Sequence, residues 1–473
     1  MPVLQTTIPA RLDRLPWSRF HLLLVIALGI TWILDGLEVT IVGAIGPVLQ
    51  NTDTLGLSTP QIGAAATFYV VGAVAGALFW GWLTDRLGRR AVFYATLLFY
   101  LAGVLLSACA WNAVSFMAFR AVTGFGIGGE YAAVNSAIDE LIPARYRGRI
   151  DLIVNGSFWV GAAAGAGASL LILDPTILPA AFGWRLAFAA GGVLGLSILF
   201  LRRLVPESPR WLVTHGHAEE AEAAVARVEA EVARLSGTTL PTVTRTLTVH
   251  PRAVFGLGEI FDSMWRKHRT RSILSLVLMT AQAFLFNAVF ATYGIVLTRF
   301  YNVTDHAVGI YLLPLAASNF LGPLLLAALF DTIGRRQMIT GTFAISALLL
   351  IATAILFATG SLTAATQTAA WMGIFFFASA AASSVYLTVS EIFPLETRAL
   401  AIAVFYALGT AIGGSLAPLI FSILIATGSA MMLACGYGFA ALLLAVAALT
   451  EWRLGLNAEG KALEDLAAPL SAQ

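Results

Sequence analysis

The chain has 473 residues, 59% hydrophobic and 11% charged, with a formal net charge of +2 and a mean hydropathy of +0.84. Soluble globular chains carry about 25% charged residues, and no soluble fold of this size hides so much apolar surface from water. Much of the chain must therefore face lipid. Lys and Arg fall in loops rather than along a helical face, which leaves nucleic-acid binding without support.

Arg11, Arg14 and Arg19 precede an apolar run of roughly thirty residues, far longer than the ~7–15 of a cleavable signal core. That run also carries Asp35 and Glu38, and is read as a retained first span. A membrane helix needs about 20 mostly apolar residues. Candidates follow at about 20–49, 60–83, 91–110, 113–139, 150–173, 184–203, 272–299, 306–330, 337–359, 366–390, 400–426 and 429–451. Segments of this length must be helices, because lipid leaves no other way to satisfy their backbone. The polar stretch 204–271 contains AEEAEAAVARVEAEVARL (218–235), an Ala/Glu/Arg-rich cytosolic helix.

If the spans alternate, 25 of the 28 Lys and Arg lie on one side, the exceptions being Arg120, Arg185 and Arg299. The positive-inside rule then puts both termini in the cytosol of a multi-pass cell-membrane (inner-membrane) protein. Cys109 and Cys435 fall inside apolar spans and read as packing residues. The six histidines sit at span ends or in loops, and the single H-x-H of His215 and His217 points to no metal. No cofactor is expected.

An internal repeat runs through the chain. Asp85-Arg86-Leu87-Gly88-Arg89-Arg90 follows the second span, and Asp331-Thr332-Ile333-Gly334-Arg335-Arg336 follows the eighth. Glu140, Pro143 and Arg147 follow the fourth, and Glu391, Pro394 and Arg398 follow the tenth with the same spacing. The expected organisation is a six-helix bundle over 1–203, a cytosolic loop over 204–271, and a second six-helix bundle with a tail over 272–473. The charges Asp85, Arg89, Glu140, Arg147, Asp331, Arg335, Glu391 and Arg398 all fall at one face, where they are expected to latch the bundles together. The alternative is that they only anchor helix ends in the headgroups.

GWLTDRLGRR (81–90) resembles the signature loop of the major facilitator superfamily. PESPRWL (206–212) and SEIFPLETRA (390–399) are similar to motifs of its sugar-porter and metabolite:proton-symporter branch. The resemblance implies an all-α membrane protein of twelve transmembrane helices in two pseudo-symmetric six-helix bundles, and an alternating-access transporter rather than an enzyme. Ala327 departs from the pattern, which has Gly there, and is expected to loosen helix packing locally.

Four charges lie within spans: Asp35, Glu38, Arg120 and Glu130. Each costs at least ~2.5 kcal/mol on permissive insertion scales, so each needs a reason. Asp35 and Glu38 are three apart and share a helix face; Gly36, Gly43, Gly46 and Pro47 around them predict a bend and close neighbours. Glu38 is about 16 Å from the outer end of its span and Arg120 about 10 Å, within side-chain reach. Glu130 is about 15 Å further in and is not the simple partner of Arg120. The pair is either a proton-coupling device, in which Arg120 tunes a neighbouring carboxyl, or a permanent structural ion pair. For Glu130 a structural bond and a coupling role both stay open.

DGLEVTIVGAIGP (35–47) resembles the first-span motif of aromatic-acid symporters and of synaptic-vesicle-glycoprotein-like transporters. Arg120, Gly124, Gly126 and Gly128 match the fourth-span R-x3-G-x-G-x-G of sugar porters. The resemblance implies that Glu38 and Arg120 are the proton-coupling pair, with Glu in place of the sugar porters' Asp.

Polar residues at mid-membrane depth are candidate substrate ligands: Asn155, Trp159, Gln282, Asn287, Tyr293 and Asn319. Each could instead bridge helices. Gln282 and Asn287 keep the sugar-porter spacing, but Ala281 replaces the paired Gln, and Ala382, Ser383 and Tyr386 replace the G-P-x-x-W of sugar sites. An organic acid or related metabolite is favoured over a hexose. The expected partners are that solute, protons and the bilayer, with the chain acting as a monomer. Uniport, efflux and a non-transporting sensor are the rival readings.

Overall fold

A computed structural model describes residues 4–172, 177–201, 207–236, 240–249, 257–290, 292–303 and 308–470. In chain order the elements are β1 (Leu4–Thr6), α1 (Ile8–Asp13), α2 (Arg19–Leu49), α3 (Thr59–Leu87), α4 (Arg89–Ala108), α5 (Ala113–Leu141), α6 (Ala144–Gly156), α7 (Phe158–Ile172), α8 (Ala180–Leu201), α9 (Pro209–Thr214) and α10 (Ala218–Ser236). They continue with β2 (Leu247–Val249), α11 (Leu257–Asp262), α12 (Arg269–Phe290), α13 (Tyr293–Tyr301), α14 (Val308–Thr332), α15 (Arg335–Ala358), α16 (Ala364–Ile392), α17 (Arg398–Gly409), α18 (Ser415–Ala426), α19 (Ala430–Leu454) and α20 (Leu463–Leu466). Among the described residues, helices run through each of the twelve expected spans. Nine helices among the described residues are long and apolar enough to cross a membrane. Of the other three, the fourth is less apolar because α5 carries Arg120, Glu130, Asp139 and Glu140, the fifth is divided into α6, with Arg145, Arg147, Arg149 and Asp151, and α7, and the sixth is apolar over the shorter Ala181–Leu196.

Local sequence explains where helices start and stop. Ser58 and Gln61 form a capping box at the start of α3, with the Ser58 amide 2.8 Å from Gln61 Oε1. Asn112 caps α5 by accepting from the Ser115 amide at 2.8 Å. Between α3 and α4 the chain turns at Gly88 with φ +89°, and between α14 and α15 at Gly334 with φ +123°. Only glycine adopts such angles without strain, which accounts for the glycine in both copies of the D-x-x-G-R-R repeat.

The two bundles are built alike. In the N-terminal bundle α3 and α4 pack on α5; in the C-terminal bundle α14 and α15 pack on α16. The α3–α5 contact is close enough that a Cβ at Gly124 would sit 2.0 Å from the Tyr69 carbonyl oxygen. Gly124→Val is accordingly expected to destabilise the fold by about 2–3 kcal/mol, measurable as a lower melting temperature in detergent. Between bundles, α3 meets α17 and α6 meets α14, two contacts related by the internal repeat. Large apolar side chains such as Val71, Leu348 and Leu442 are exposed on the outside of the bundles, as a lipid-facing surface requires.

Several expectations are corrected. The fifth span begins at Ala144 rather than 150 and breaks at Ser157 between α6 and α7. The seventh divides between Phe290 and Tyr293. The eleventh carries a π-helical turn, Thr410–Gly414, where Gly413 lies against the backbone of α12. Pro209–Lys267 is more than one helix: α9 and α10 join α1 in a separate small core of Ile8, Leu12, Trp211 and Val225, and β1 pairs antiparallel with β2. Cys109 and Cys435 are exposed and do not pack in the core, because each side chain points away from its bundle. Ala327 is buried, only 1% exposed, so its methyl group is accommodated. Pro206, His250, His306 and the boundary expected at 203–204 lie outside the described residues.

Candidate functional site

Two polar centres lie where the bundles meet. The first lies about half-way along α2. α2 presents Asp35 and Glu38, 2% and 3% exposed, and α5 presents Arg120, 2% exposed. Arg120 Nη1 is paired with Glu38 Oε1. The Tyr69 ring covers the guanidinium, 4.4 Å from its carbon, a geometry that keeps a buried cation stable. The Tyr69 hydroxyl turns the other way and donates to Asp35 Oδ1 at 3.5 Å, while Tyr131 donates to Asp35 Oδ2 at 3.0 Å. Tyr69 thus bridges the Glu38–Arg120 pair and Asp35. Glu130 lines a void of about 10 Å³ with Asp35, Trp32 and Tyr131, room for about one water.

Tyr131 also belongs to an aromatic cluster drawn from both bundles. Its ring stacks on Tyr406 of α17 at 4.8 Å and on Tyr386 of α16 at 6.1 Å, and Trp32 of α2 meets its edge at 4.5 Å. Gln282 of α12 lies beside the Tyr386 phenol within the C-terminal bundle. A second cross-bundle contact pairs Trp159 of α7 with Phe286 of α12 at 5.9 Å. Parallel tyrosine faces with nearby amide and carboxylate groups suit a planar ring.

The other predicted ligands serve their own bundles. Asn155 donates to Asn135 Oδ1 at 3.0 Å and to Asp151 Oδ2 at 3.1 Å. Tyr293 shares a 2.6 Å hydrogen bond with Thr368 deep in the C-terminal core. Asn319 is fully buried and donates to the Leu315 carbonyl at 2.8 Å. Asn287 is exposed on α12, its amide turned back onto the Ala283 carbonyl at 2.8 Å. Of the six candidates, Trp159 takes part in a contact between the bundles described above, while Gln282 and its neighbour Tyr386 both belong to the C-terminal bundle.

The second centre gathers the repeated charges. Both described chain ends lie at one face, the terminal face, where Arg245 pairs with Asp465 and Arg210 with Glu464 and Asp13. Glu140 receives Arg89 of its own bundle at 2.7 Å and Arg398 of the other at 3.4 Å. Glu391 receives Arg335 of its own bundle at 3.1 Å and Arg147 of the other at 3.4 Å. Asp85 accepts the Leu400 amide across the interface at 3.0 Å, and Asp331 accepts the Arg149 amide at 2.9 Å. The two halves of the repeat therefore exchange equivalent bonds, and the terminal face is closed. Headgroup anchoring explains none of these pairings, since Glu140, Arg147, Glu391 and Arg398 are at most 1% exposed.

Trp211 of PESPRWL donates from Nε1 to the Asp85 carbonyl at 2.9 Å, and Glu207 accepts the Arg89 amide at 2.8 Å. His215 stacks on Trp211 at 4.2 Å; burial there pushes its imidazole down to about 4. It stays neutral at ordinary pH, as a packing residue would.

The family model for "Sugar (and other) transporter" matches residues 39–456. The chain belongs to this family. It is a multi-pass membrane transporter of the sugar and metabolite type, with the twelve-helix major facilitator fold. The niacin transporter NiaP of Acinetobacter baylyi is 30% identical over 339 residues, 70% of this chain and 72% of that protein. The 4-hydroxybenzoate transporter PcaK of Pseudomonas putida is 29% identical over 44% of this chain and 45% of its own length. Among solved structures, the proton:xylose symporter XylE bound to 6-bromo-6-deoxy-D-glucose superposes with a TM-score of 0.78 at 20% identity, covering 94% of this chain and 98% of XylE.

Proposed function

We infer that this family member is a proton-coupled symporter of a small organic acid with a planar ring, acting as a monomer in the cell (inner) membrane with both termini in the cytosol. The observation that carries the reading is the Glu38–Arg120 pair, joined through Tyr69 and Asp35 to aromatic rings contributed by both bundles. A carboxylate cargo needs a cation, and Arg120 is engaged by Glu38. Protonating Glu38 removes its charge and frees Arg120 for the carboxylate of the solute. Proton and anion then load together, which is the condition for symport. The names of the niacin and 4-hydroxybenzoate relatives fit a ring bearing a carboxylate.

Glu38 and Arg120 are the coupling pair in this reading. Asp35 relays the state of the pair to Tyr131, and Glu130 shares its void. The latch charges Asp85, Arg89, Glu140, Arg147, Asp331, Arg335, Glu391 and Arg398 gate the cytosolic side. Gln282 and Trp159, with Trp32, Tyr131, Tyr386 and Tyr406, hold the solute.

Uptake of nicotinate, 4-hydroxybenzoate, xylose and glucose into proteoliposomes under an inward proton gradient tests this. Accumulation of an aromatic acid that collapses with a protonophore supports the reading. Accumulation of only a sugar, or equilibration without accumulation, overturns it. Tyr131→Ala removes stacking on Tyr386 and Tyr406 and is expected to raise the half-saturating solute concentration about tenfold.

A further inference from the structure

We propose that Asp139 and Asp151 form a second proton-binding site, which takes up one proton while the terminal face is closed. Both carboxylates are 0% exposed. Neither oxygen of Asp139 has a hydrogen-bond partner, nor does Asp151 Oδ1; Asp151 Oδ2 accepts from Asn155 at 3.1 Å. The Ser390 hydroxyl beside Asp139 donates instead to the Leu387 carbonyl at 2.8 Å.

The surrounding charges do not neutralise the pair. Arg147 Nε is 3.9 Å from Asp139 Oδ1, but Arg147 also serves Glu391 at 3.4 Å and Asp13 at 3.5 Å. Arg335 is committed to Asp331 at 2.6 Å and Glu391 at 3.1 Å. Arg398 and Arg89 are committed to Glu140, and Asp85 lies 3.6 Å from Arg89. The Arg145 and Arg149 guanidiniums on α6 itself lie against the Tyr146 ring. On α2, His21 is bonded to Ser18 and Asp35 to Tyr131. Six carboxylates (Asp85, Asp139, Glu140, Asp151, Asp331, Glu391) thus share Arg89, Arg147, Arg335 and Arg398; Asp139 has only the 3.9 Å approach of Arg147 Nε, which makes no hydrogen bond to it, and among the described residues no guanidinium pairs with Asp151.

A buried carboxylate without a hydrogen-bond partner costs several kcal/mol, and the charge of Asp139 acts against that of Asp151. One proton removes a charge and supplies a donor to an orphan oxygen. When the bundles part at the terminal face, water solvates both groups and the proton leaves. Closure therefore binds a proton and opening releases it, so closure is favoured at low pH and lost as pH rises. The site lies on the stripe of α5 that carries Tyr131 and Asn135, eight residues or about 12 Å from the Tyr131 contact to Asp35. It does not depend on Glu38 being the coupling acid.

The test uses the full chain in lipid nanodiscs, with Cys109→Ser and Cys435→Ser removing the exposed thiols. Nitroxide probes at Leu87→Cys and Ile333→Cys, exposed positions on equivalent loops of the two bundles, report the separation at the terminal face without solute. From about pH 5.5 to 8.5 the closed-to-open ratio is expected to fall by up to about tenfold per unit for one linked proton. Asp151→Asn or Asp139→Asn should flatten this dependence, Asp151→Glu should restore it, and Glu38→Gln should leave it in place. No pH dependence in the parent, the parent slope retained in both Asn variants, or control by sodium instead of pH would each overturn the proposal. Loss of proton-driven uptake in Glu38→Gln tests the symport reading separately.

Discussion

Glu38→Gln, assayed in proteoliposomes, is expected to abolish solute accumulation driven by a proton gradient while leaving counterflow intact. A one-unit pH gradient stores about 1.4 kcal/mol per proton, enough for about tenfold accumulation by a one-proton symporter. In the variant the accumulation ratio should fall to one, because position 38 no longer exchanges a proton as the bundles rock. Arg120 then stays permanently available to a solute carboxylate, with Tyr69 still covering its face at 4.4 Å, so binding and exchange continue. Retained accumulation in Glu38→Gln would move the coupling step elsewhere and leave the Glu38–Arg120 pair a structural tie between α2 and α5.

The parts of this architecture that lipid dictates were legible in the residues. Twelve apolar runs became helices because a membrane permits nothing else. The duplicated D-x-x-G-R-R and E-x-x-P-x-x-x-R patterns picked out charges that the structure brings together across the two bundles. Depth alone matched Glu38 with Arg120. The aromatic cluster was not legible: Trp32, Tyr131 and Tyr406 sit in apolar helices, where an aromatic residue reads as core until its neighbours are known. Tyr386 was noted only for what it replaces in sugar porters. Asn155, Tyr293 and Asn319 misled for the converse reason, since a mid-membrane amide or phenol looks alike whether it faces a cavity or bonds its own bundle. Asp139 and Asp151 sit at span ends, where a carboxylate ordinarily meets headgroups and water. Only the cross-bundle contacts of α5 and α6 with α16 reveal their burial.

Glu140→Gln and Glu391→Gln are expected to open the terminal face, and either one should slow net transport by disabling the closed state. Each carboxylate joins a guanidinium of its own bundle to one from the other: Arg89 and Arg398 for Glu140, Arg335 and Arg147 for Glu391. Removing one acid leaves two buried guanidiniums short of charge, a loss of about 3–5 kcal/mol for such sites. The penalty applies while the bundles are shut and is relieved by water when they part. A differential of about 3 kcal/mol shifts the closed-to-open ratio by roughly two orders of magnitude. Probe separation at Leu87→Cys and Ile333→Cys should report mainly open molecules in either variant, with maximal transport rate reduced more than solute affinity. The double variant should open the face little further than either alone, because the two hubs close one interface and their effects do not add. Parent-like separation in both single variants would mean that the backbone contacts of Asp85 with Leu400 and Asp331 with Arg149 hold the face shut, leaving the arginine hubs as bystanders.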